Sequence, residues 1–184
     1  MQAKLVALLR TTNDRMLTVA RIILGSVMFA HGAQKVFGWY GGAGFGSTLA
    51  YFGHNLGIPA PLAVLAIAAE FLGGLFLILG LLGRLSALGI AVNMAVAALL
   101  VHLRYGLFMN WFGTKSGEGI EYHLLALALA SLIVVRGSGA LSLDRLLSNT
   151  LQTRLTGEPL QPAVAMPRMI RASWMWFAQY HRRG

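Results

Sequence analysis

A single carboxylate, Glu70, interrupts an otherwise uncharged apolar stretch, AAEFLGGLFLILGLLG, that runs from Ala68 to Gly83. Within hydrocarbon an ionised side chain costs about 2.5–3.5 kcal/mol on insertion scales, and it is tolerated where a partner neutralises it. An acid in that position can fix the register of packed helices, bind a polar ligand or carry a proton. The chemistry open to this chain therefore depends on the side chains that meet Glu70.

The preceding apolar segment, residues 16–37, supplies the expected counter-charge. Five of its residues follow one another at intervals of four, three, four and three, and they are Arg21, Gly25, Met28, Gly32 and Lys35. This spacing places them on one face of a helix, where small residues let a second helix approach closely. Both charges are therefore expected to face other helices, and Lys35 is expected to pair with Glu70.

Further polar residues are predicted to lie near one end of the helices. They are His31, Gln34, His102, Asn110, Trp111, Glu118, Glu121 and His123, and with Arg21, Lys35 and Glu70 they make up the predicted polar cluster. The cluster could form a pocket beneath two loops, or the Lys35–Glu70 pair could only hold the helices in register. Three histidines at one level would also permit a haem with two axial imidazoles, or a histidine–glutamate metal site. A locally hydrogen-bonded histidine is the commoner case, and no metal is predicted.

Asn93 is assigned a separate role. It lies nine residues before His102, which at 100° per residue places the two side chains on nearly opposite faces of a helix. Asn93 is therefore predicted to form an interhelical hydrogen bond and not to share a site with His102.

The composition indicates a membrane protein. The 184 residues are 57% hydrophobic and 11% charged, with a mean hydropathy of +0.65, whereas about 25% of the residues of soluble domains are charged. The net charge of +9 comes from basic residues at the chain ends and helix ends, a pattern typical of cytoplasmic loops and not of a nucleic-acid surface. The chain has no cysteine, which excludes thiol–disulfide chemistry and cysteine-ligated clusters on this chain.

The expected fold is all-α, a polytopic membrane four-helix bundle with a C-terminal amphipathic or interfacial extension. Its spans are predicted at residues 16–37, 62–83, 85–102 and 122–135, and the first is interpreted as an uncleaved span. A short helix capped near Ser47 is predicted between the first two spans. The predicted divisions are an N-terminal segment, 1–15, the membrane domain, 16–145, and a basic tail, 146–184, that ends in an interfacial helix.

The distribution of lysine and arginine predicts the orientation. Basic residues concentrate in the N-terminal segment, at Arg84 and in the tail, whereas the loops 38–61 and 104–122 hold few and carry two glutamates. Both chain ends are therefore expected in the cytoplasm, with the two loops on the outer side.

Several motifs together resemble one protein family. They are GSVMFAHGAQKVFGW at Gly25–Trp39, GIP at Gly57–Pro59, AEFLGGLFLILGLLGR at Ala69–Arg84, VHLRYGLFMNW at Val101–Trp111 and GEGIEYHLL at Gly117–Leu125. In combination they resemble the DoxX proteins over residues 16–145. The resemblance implies a four-helix, multi-pass protein of the bacterial inner (plasma) membrane. The wider group includes the membrane subunit of thiosulfate:quinone oxidoreductase and a partner of secreted redox enzymes.

Three functional hypotheses follow. The first is a redox-associated subunit of an oxidoreductase complex that binds a quinone or another small molecule in the polar cluster, with a redox protein as partner. The second is a non-catalytic membrane organiser that holds a partner through the loops or the tail. The third and weakest is a small-solute transporter, because no inverted repeat is visible. The residues leave open whether the chain is itself an enzyme and whether it forms a homo-oligomer.

Overall fold

The computed structural model describes residues 2–157, which form helices joined by short turns. The helices are α1 (Gln2–Leu9), α2 (Arg15–Phe37), α3 (Gly44–Leu56), α4 (Ala60–Leu79), α5 (Gly83–Ala97), α6 (Glu121–Arg136) and α7 (Leu143–Thr156). A π-helical turn, Ala98–His102, and a 3₁₀ turn, Leu103–Tyr105, continue α5, and a second 3₁₀ turn, Trp39–Gly41, follows α2. This part of the chain contains no strand.

Four of the helices form the bundle. Helix α2 packs against α4 and α6, and α5 packs against α4 and α6, so that the four enclose a common core around Met28, Leu77, Ile90 and Ile133. The end that carries α3 and residues 103–120 is called the loop end below. The end that carries α1, α7 and the α4–α5 turn is called the terminal end.

The outer faces of the bundle are apolar. Among the described residues, large aliphatic side chains that are more than half exposed include Ile23, Leu65, Val92, Leu125 and Leu132. Between residues 2 and 157, three helical segments are long and apolar enough to cross a membrane, at Arg15–Phe37, Ala60–Leu79 and Gly83–Tyr105. The fourth, α6, has 16 residues and measures about 24 Å, less than the hydrocarbon core of about 30 Å.

Glycines let α2 and α4 approach almost to backbone contact. A Cβ at Gly25 would lie 2.9 Å from the carbonyl oxygen of Gly74, and a Cβ at Gly32 would lie 2.4 Å from Cα of Phe71. The ring of Phe71 in turn stacks on that of Phe29, with 5.1 Å between centroids. The predicted stripe on α2 is therefore confirmed as the α2–α4 contact face.

A buried arginine and a buried aspartate close the terminal end. Arg21 Nε donates to the carbonyl of Ser138 at 2.8 Å, and its Nη atoms donate to three further carbonyls, those of Leu77, Ile78 and Leu141. Asp144 accepts from the amide nitrogens of Leu82 and Gly83 at 2.7 and 2.8 Å, and from the Ser138 hydroxyl at 2.6 Å. The arginine thus binds two carbonyls in the last turn of α4, those of Leu77 and Ile78, and the aspartate satisfies free amides at the start of α5.

The predicted all-α bundle is confirmed, and several of its boundaries need correction. Helix α3 begins at Gly44 and not near Ser47, and no side chain caps it. Helix α4 begins at Ala60 and ends at Leu79, because Gly80 adopts the left-handed conformation that terminates helices. The interfacial helix predicted near the C-terminus lies outside the described residues.

Gly32→Ala tests the α2–α4 contact, with Gly46→Ala in α3 as the matched control. The new methyl at position 32 would overlap the Phe71 backbone, whereas a Cβ at Gly46 meets nothing within 4 Å. Overpacking of a tight contact costs about 1–3 kcal/mol. An alanine in an open helical position stabilises by roughly 0.5–1 kcal/mol.

The free energy of unfolding in detergent should therefore fall for Gly32→Ala and stay equal or rise for Gly46→Ala. Equal changes in both variants would contradict the contact.

Candidate functional site

Lys35, Glu70 and Asn93 form a buried polar contact between α2, α4 and α5. Lys35 Nζ is in ion-pair contact with Glu70 Oε2, and Asn93 Nδ2 donates to Glu70 Oε1 at 2.9 Å. Glu70 is 6% exposed and stands ten residues into the twenty of α4, about 15 Å along the helix axis from its loop end. Both carboxylate oxygens thus have a partner, as a charge at that depth requires.

A second group of polar side chains lies towards the loop end. The rings of His102 and His123 are 4.3 Å apart between centroids, and that of Tyr122 lies 5.5 Å from that of His123. His102 Nδ1 lies 2.9 Å from the Glu118 carbonyl oxygen. By contrast, His123 Nδ1 and the Tyr122 hydroxyl are buried and have no hydrogen-bond partner within residues 2–157.

One cavity of about 1250 Å³ joins the two groups. Its polar lining is His31, Lys35, Glu70, Asn93, His102, Glu118, Tyr122 and His123, and the rest of its wall is almost wholly apolar. Ligand sites in proteins typically occupy about 300–1,000 Å³ and combine apolar walls with a few placed polar groups. The cavity has the size and the lining of a site for an organic molecule.

The loop between α5 and α6 is held over this cavity by its own glutamates. Glu118 Oε2 accepts from the amide of Asn110 at 2.6 Å, and Glu121 Oε2 accepts from the amide of Met109 at 3.1 Å. The Asn110 side chain exchanges two hydrogen bonds with the backbone of Lys115. These acids therefore fix the loop, and Glu118 and Met109 also line the cavity.

The prediction that Asn93 and His102 could not share a site was wrong, since both line the cavity. Residues Ala98–His102 form a π-helical turn, which advances less than 100° per residue and so alters the phase that an uninterrupted α-helix would give. The predicted interhelical hydrogen bond of Asn93 is confirmed by its contact with Glu70.

The structure does not bring the whole predicted cluster together. Arg21 belongs to the terminal end, where it contacts backbone carbonyls. Trp111 is 78% exposed in the loop, and Gln34 bonds to His31 and to the Tyr40 carbonyl beside the cavity.

Tyr122 and Asn93 were absent from the predicted cluster although both line the cavity. The only sequence signal for Tyr122 is its place beside His123 at the start of a span.

The residues present do not favour a metal or haem site. Within residues 2–157 no three histidine, aspartate or glutamate side chains are grouped so that they could hold a metal ion. The His102 and His123 rings are in direct contact, which leaves no space for a porphyrin between them.

An apolar outer surface, membrane-length helices and a cavity with a few polar groups in an apolar wall define a small multi-pass helical membrane protein. The DoxX family model matches residues 16–103. The chain is 30% identical over 140 residues to the Escherichia coli (strain K12) "Inner membrane protein YqjF", covering 76% of this chain and 98% of that protein. It is 28% identical over 124 residues to the Bacillus subtilis (strain 168) "Putative oxidoreductase CatD", covering 67% of this chain and 81% of that protein. No solved structure matches.

The chain belongs to the DoxX family of membrane proteins. It is a multi-pass protein of the inner membrane, and the resemblance seen in its motifs is confirmed.

Two variants test the ion pair: Lys35→Met alone, and Lys35→Met combined with Glu70→Gln. The single substitution leaves a buried carboxylate without its counter-charge, and because the Lys35 side chain is 25% exposed we expect a loss of about 1–3 kcal/mol, below the usual 3–5. The double variant removes both charges and keeps an oxygen for Asn93, so it should be more stable than Lys35→Met. Unfolding free energies of wild type, both single variants and the double variant measure the coupling. A double variant no more stable than Lys35→Met would show that charge compensation does not hold these helices.

Proposed function

We propose that this protein is a redox-associated membrane subunit that binds a quinone in the cavity between its helices. The observation that carries the proposal is the pair of unsatisfied polar atoms, His123 Nδ1 and the Tyr122 hydroxyl, at the polar end of the cavity. A buried polar group without a partner costs about 1–3 kcal/mol. A ligand with hydrogen-bonding oxygens on an apolar frame would remove that cost.

The chemistry of the lining suits a quinone. The ring carbonyls of a quinone accept hydrogen bonds, and Tyr122 and His123 can donate them. Reduction to the quinol takes up two electrons and two protons, and the three histidines that line the cavity could pass the protons to it. The electrons would come from a partner oxidoreductase. The Bacillus subtilis relative named as an oxidoreductase supports this class of function.

The organiser hypothesis has its own supporting feature. Three aromatic side chains at the loop end, Tyr40, Trp111 and Phe112, are 72%, 78% and 91% exposed. Exposed aromatic groups suit either a membrane–water interface or a protein partner. They do not account for the cavity or its unsatisfied atoms, so we favour the quinone hypothesis.

Tyr122→Phe separates a ligand contact from a structural one. The hydroxyl has no hydrogen-bond partner in the part of the chain that the structure describes, so its removal should leave the unfolding free energy unchanged or slightly higher. Loss of one hydrogen bond to a ligand should lower quinone retention roughly three- to tenfold. Quinone extracted from the purified protein measures retention, and Tyr105→Phe, outside the cavity lining, is the matched control.

Glu70→Ala and Lys35→Ala should lower quinone retention as well. If wild type retains no quinone, or if all three cavity variants retain as much as wild type, the quinone proposal is wrong. If Glu70→Ala and Lys35→Ala only lower the unfolding free energy, the ion pair is structural and the organiser hypothesis is favoured.

We infer from the distribution of basic residues that both chain ends are cytoplasmic and that the loop end faces outward. The absence of cysteine lets single cysteines report this orientation. A membrane-impermeant maleimide should label Ser47→Cys at the loop end in intact spheroplasts. It should label Thr150→Cys on α7 only after permeabilisation, and the reverse pattern would overturn the orientation.

A further inference from the structure

The cavity extends beyond the polar cluster as a groove along the lipid-facing side of α4 and α5. Its rim consists of Leu62, Leu65, Leu85, Leu88, Val92, Val96 and Leu100, which are 41–63% exposed. Side chains that line a cavity and also lie on the outer surface show that the cavity opens sideways, towards the acyl chains of the bilayer.

Small residues form the floor of this groove. Ala66, Ala69, Gly89 and Ala97 line it between the larger rim residues, and the ideal Cβ of Gly89 lies 3.6 Å from that of Ala69. The rim from Leu85 to Leu100 spans sixteen residues, and the fifteen steps between them measure about 22 Å along the helix axis. A quinone ring at the polar end would leave most of that length unfilled.

The groove and the polar site are continuous. Gly89 and Val92, which line the groove, precede Asn93 by four residues and one residue, and the Asn93 side-chain amide contacts Glu70. The same cavity also reaches Tyr122 and His123. A molecule with its polar ring at the buried end would therefore have a direct apolar path from that ring to the lipid. A water-soluble ligand has no apolar tail that could occupy such a path.

We propose that the ligand carries a long prenyl tail, that the tail lies in the α4–α5 groove, and that the ligand enters the cavity from the bilayer. This inference rests on the proposed function and extends it to the class of quinone and its route. Burial of the tail adds little hydrophobic free energy, since lipid is as apolar as the groove. The groove instead directs the ring to the polar groups and provides the way in.

Since the tail's contribution is steric, the test blocks the groove. Val92→Trp places a large side chain between the rims, and Val19→Trp on α2, similarly exposed but outside the lining, is the matched control. The full chain of each variant is reconstituted into nanodiscs of phosphatidylethanolamine and phosphatidylglycerol. The probes are a long-chain ubiquinone and the corresponding benzoquinone without its prenyl chain, and retention is quantified after repurification.

The expected result is an about tenfold loss of long-chain quinone in Val92→Trp, with Val19→Trp unchanged. Retention of the tail-less ring should stay within about twofold of wild type in both variants. Equal thermal unfolding of the two tryptophan variants would show that the loss is not a folding defect.

Two results would overturn the inference. If Val92→Trp retains long-chain quinone like wild type, or loses phospholipid and no quinone, the groove is an ordinary lipid contact and only the ring site stands. If wild type retains neither probe, the proposed function fails together with the inference.

Discussion

Two charges that cannot face lipid govern the architecture of this protein. Lys35 and Glu70 lie on different spans at a depth where each alone would cost several kcal/mol, so the spans must meet at that level. The meeting is possible because glycines on both helices bring α2 and α4 almost into backbone contact. Asn93 on α5 then donates a hydrogen bond to the second oxygen of the Glu70 carboxylate. The cavity lies beside these three helices.

The two ends of the bundle treat their polar groups differently. At the terminal end, Arg21 makes four hydrogen bonds and Asp144 makes three, and both side chains are almost fully buried. Within residues 2–157, three buried side-chain atoms lack a hydrogen-bond partner: Arg84 Nε at the terminal end, and the Tyr122 hydroxyl and His123 Nδ1 at the loop end. Tyr122 and His123 line the cavity whereas Arg84 does not, so the unused hydrogen-bonding capacity at the loop end is the part that a ligand could use. This difference between the two ends agrees with a ligand site near the loops.

Much of this arrangement could be predicted from residue spacing. The stripe from Arg21 to Lys35 and the pairing with Glu70 follow from the helical period and the cost of lone charges in lipid. The phase between Asn93 and His102 could not be predicted, because nothing in the sequence signals the π-helical turn between them. The partners of Arg21 could not be predicted either, since backbone carbonyls more than fifty residues away leave no pattern in the side chains. An unsatisfied hydroxyl such as that of Tyr122 is visible only once its surroundings are known.

The hydrogen bonds of Arg21 have a consequence for biosynthesis. Two of the carbonyls that receive this guanidinium, those of Ser138 and Leu141, lie after the last span. At about 5–20 residues per second, the ribosome makes them several seconds after the first span has emerged. During that interval the arginine lacks half of its acceptors, and the segment after the fourth span must arrive before the bundle can close. The segment after the fourth span therefore completes the hydrogen bonds of the first span only after all four spans have been made.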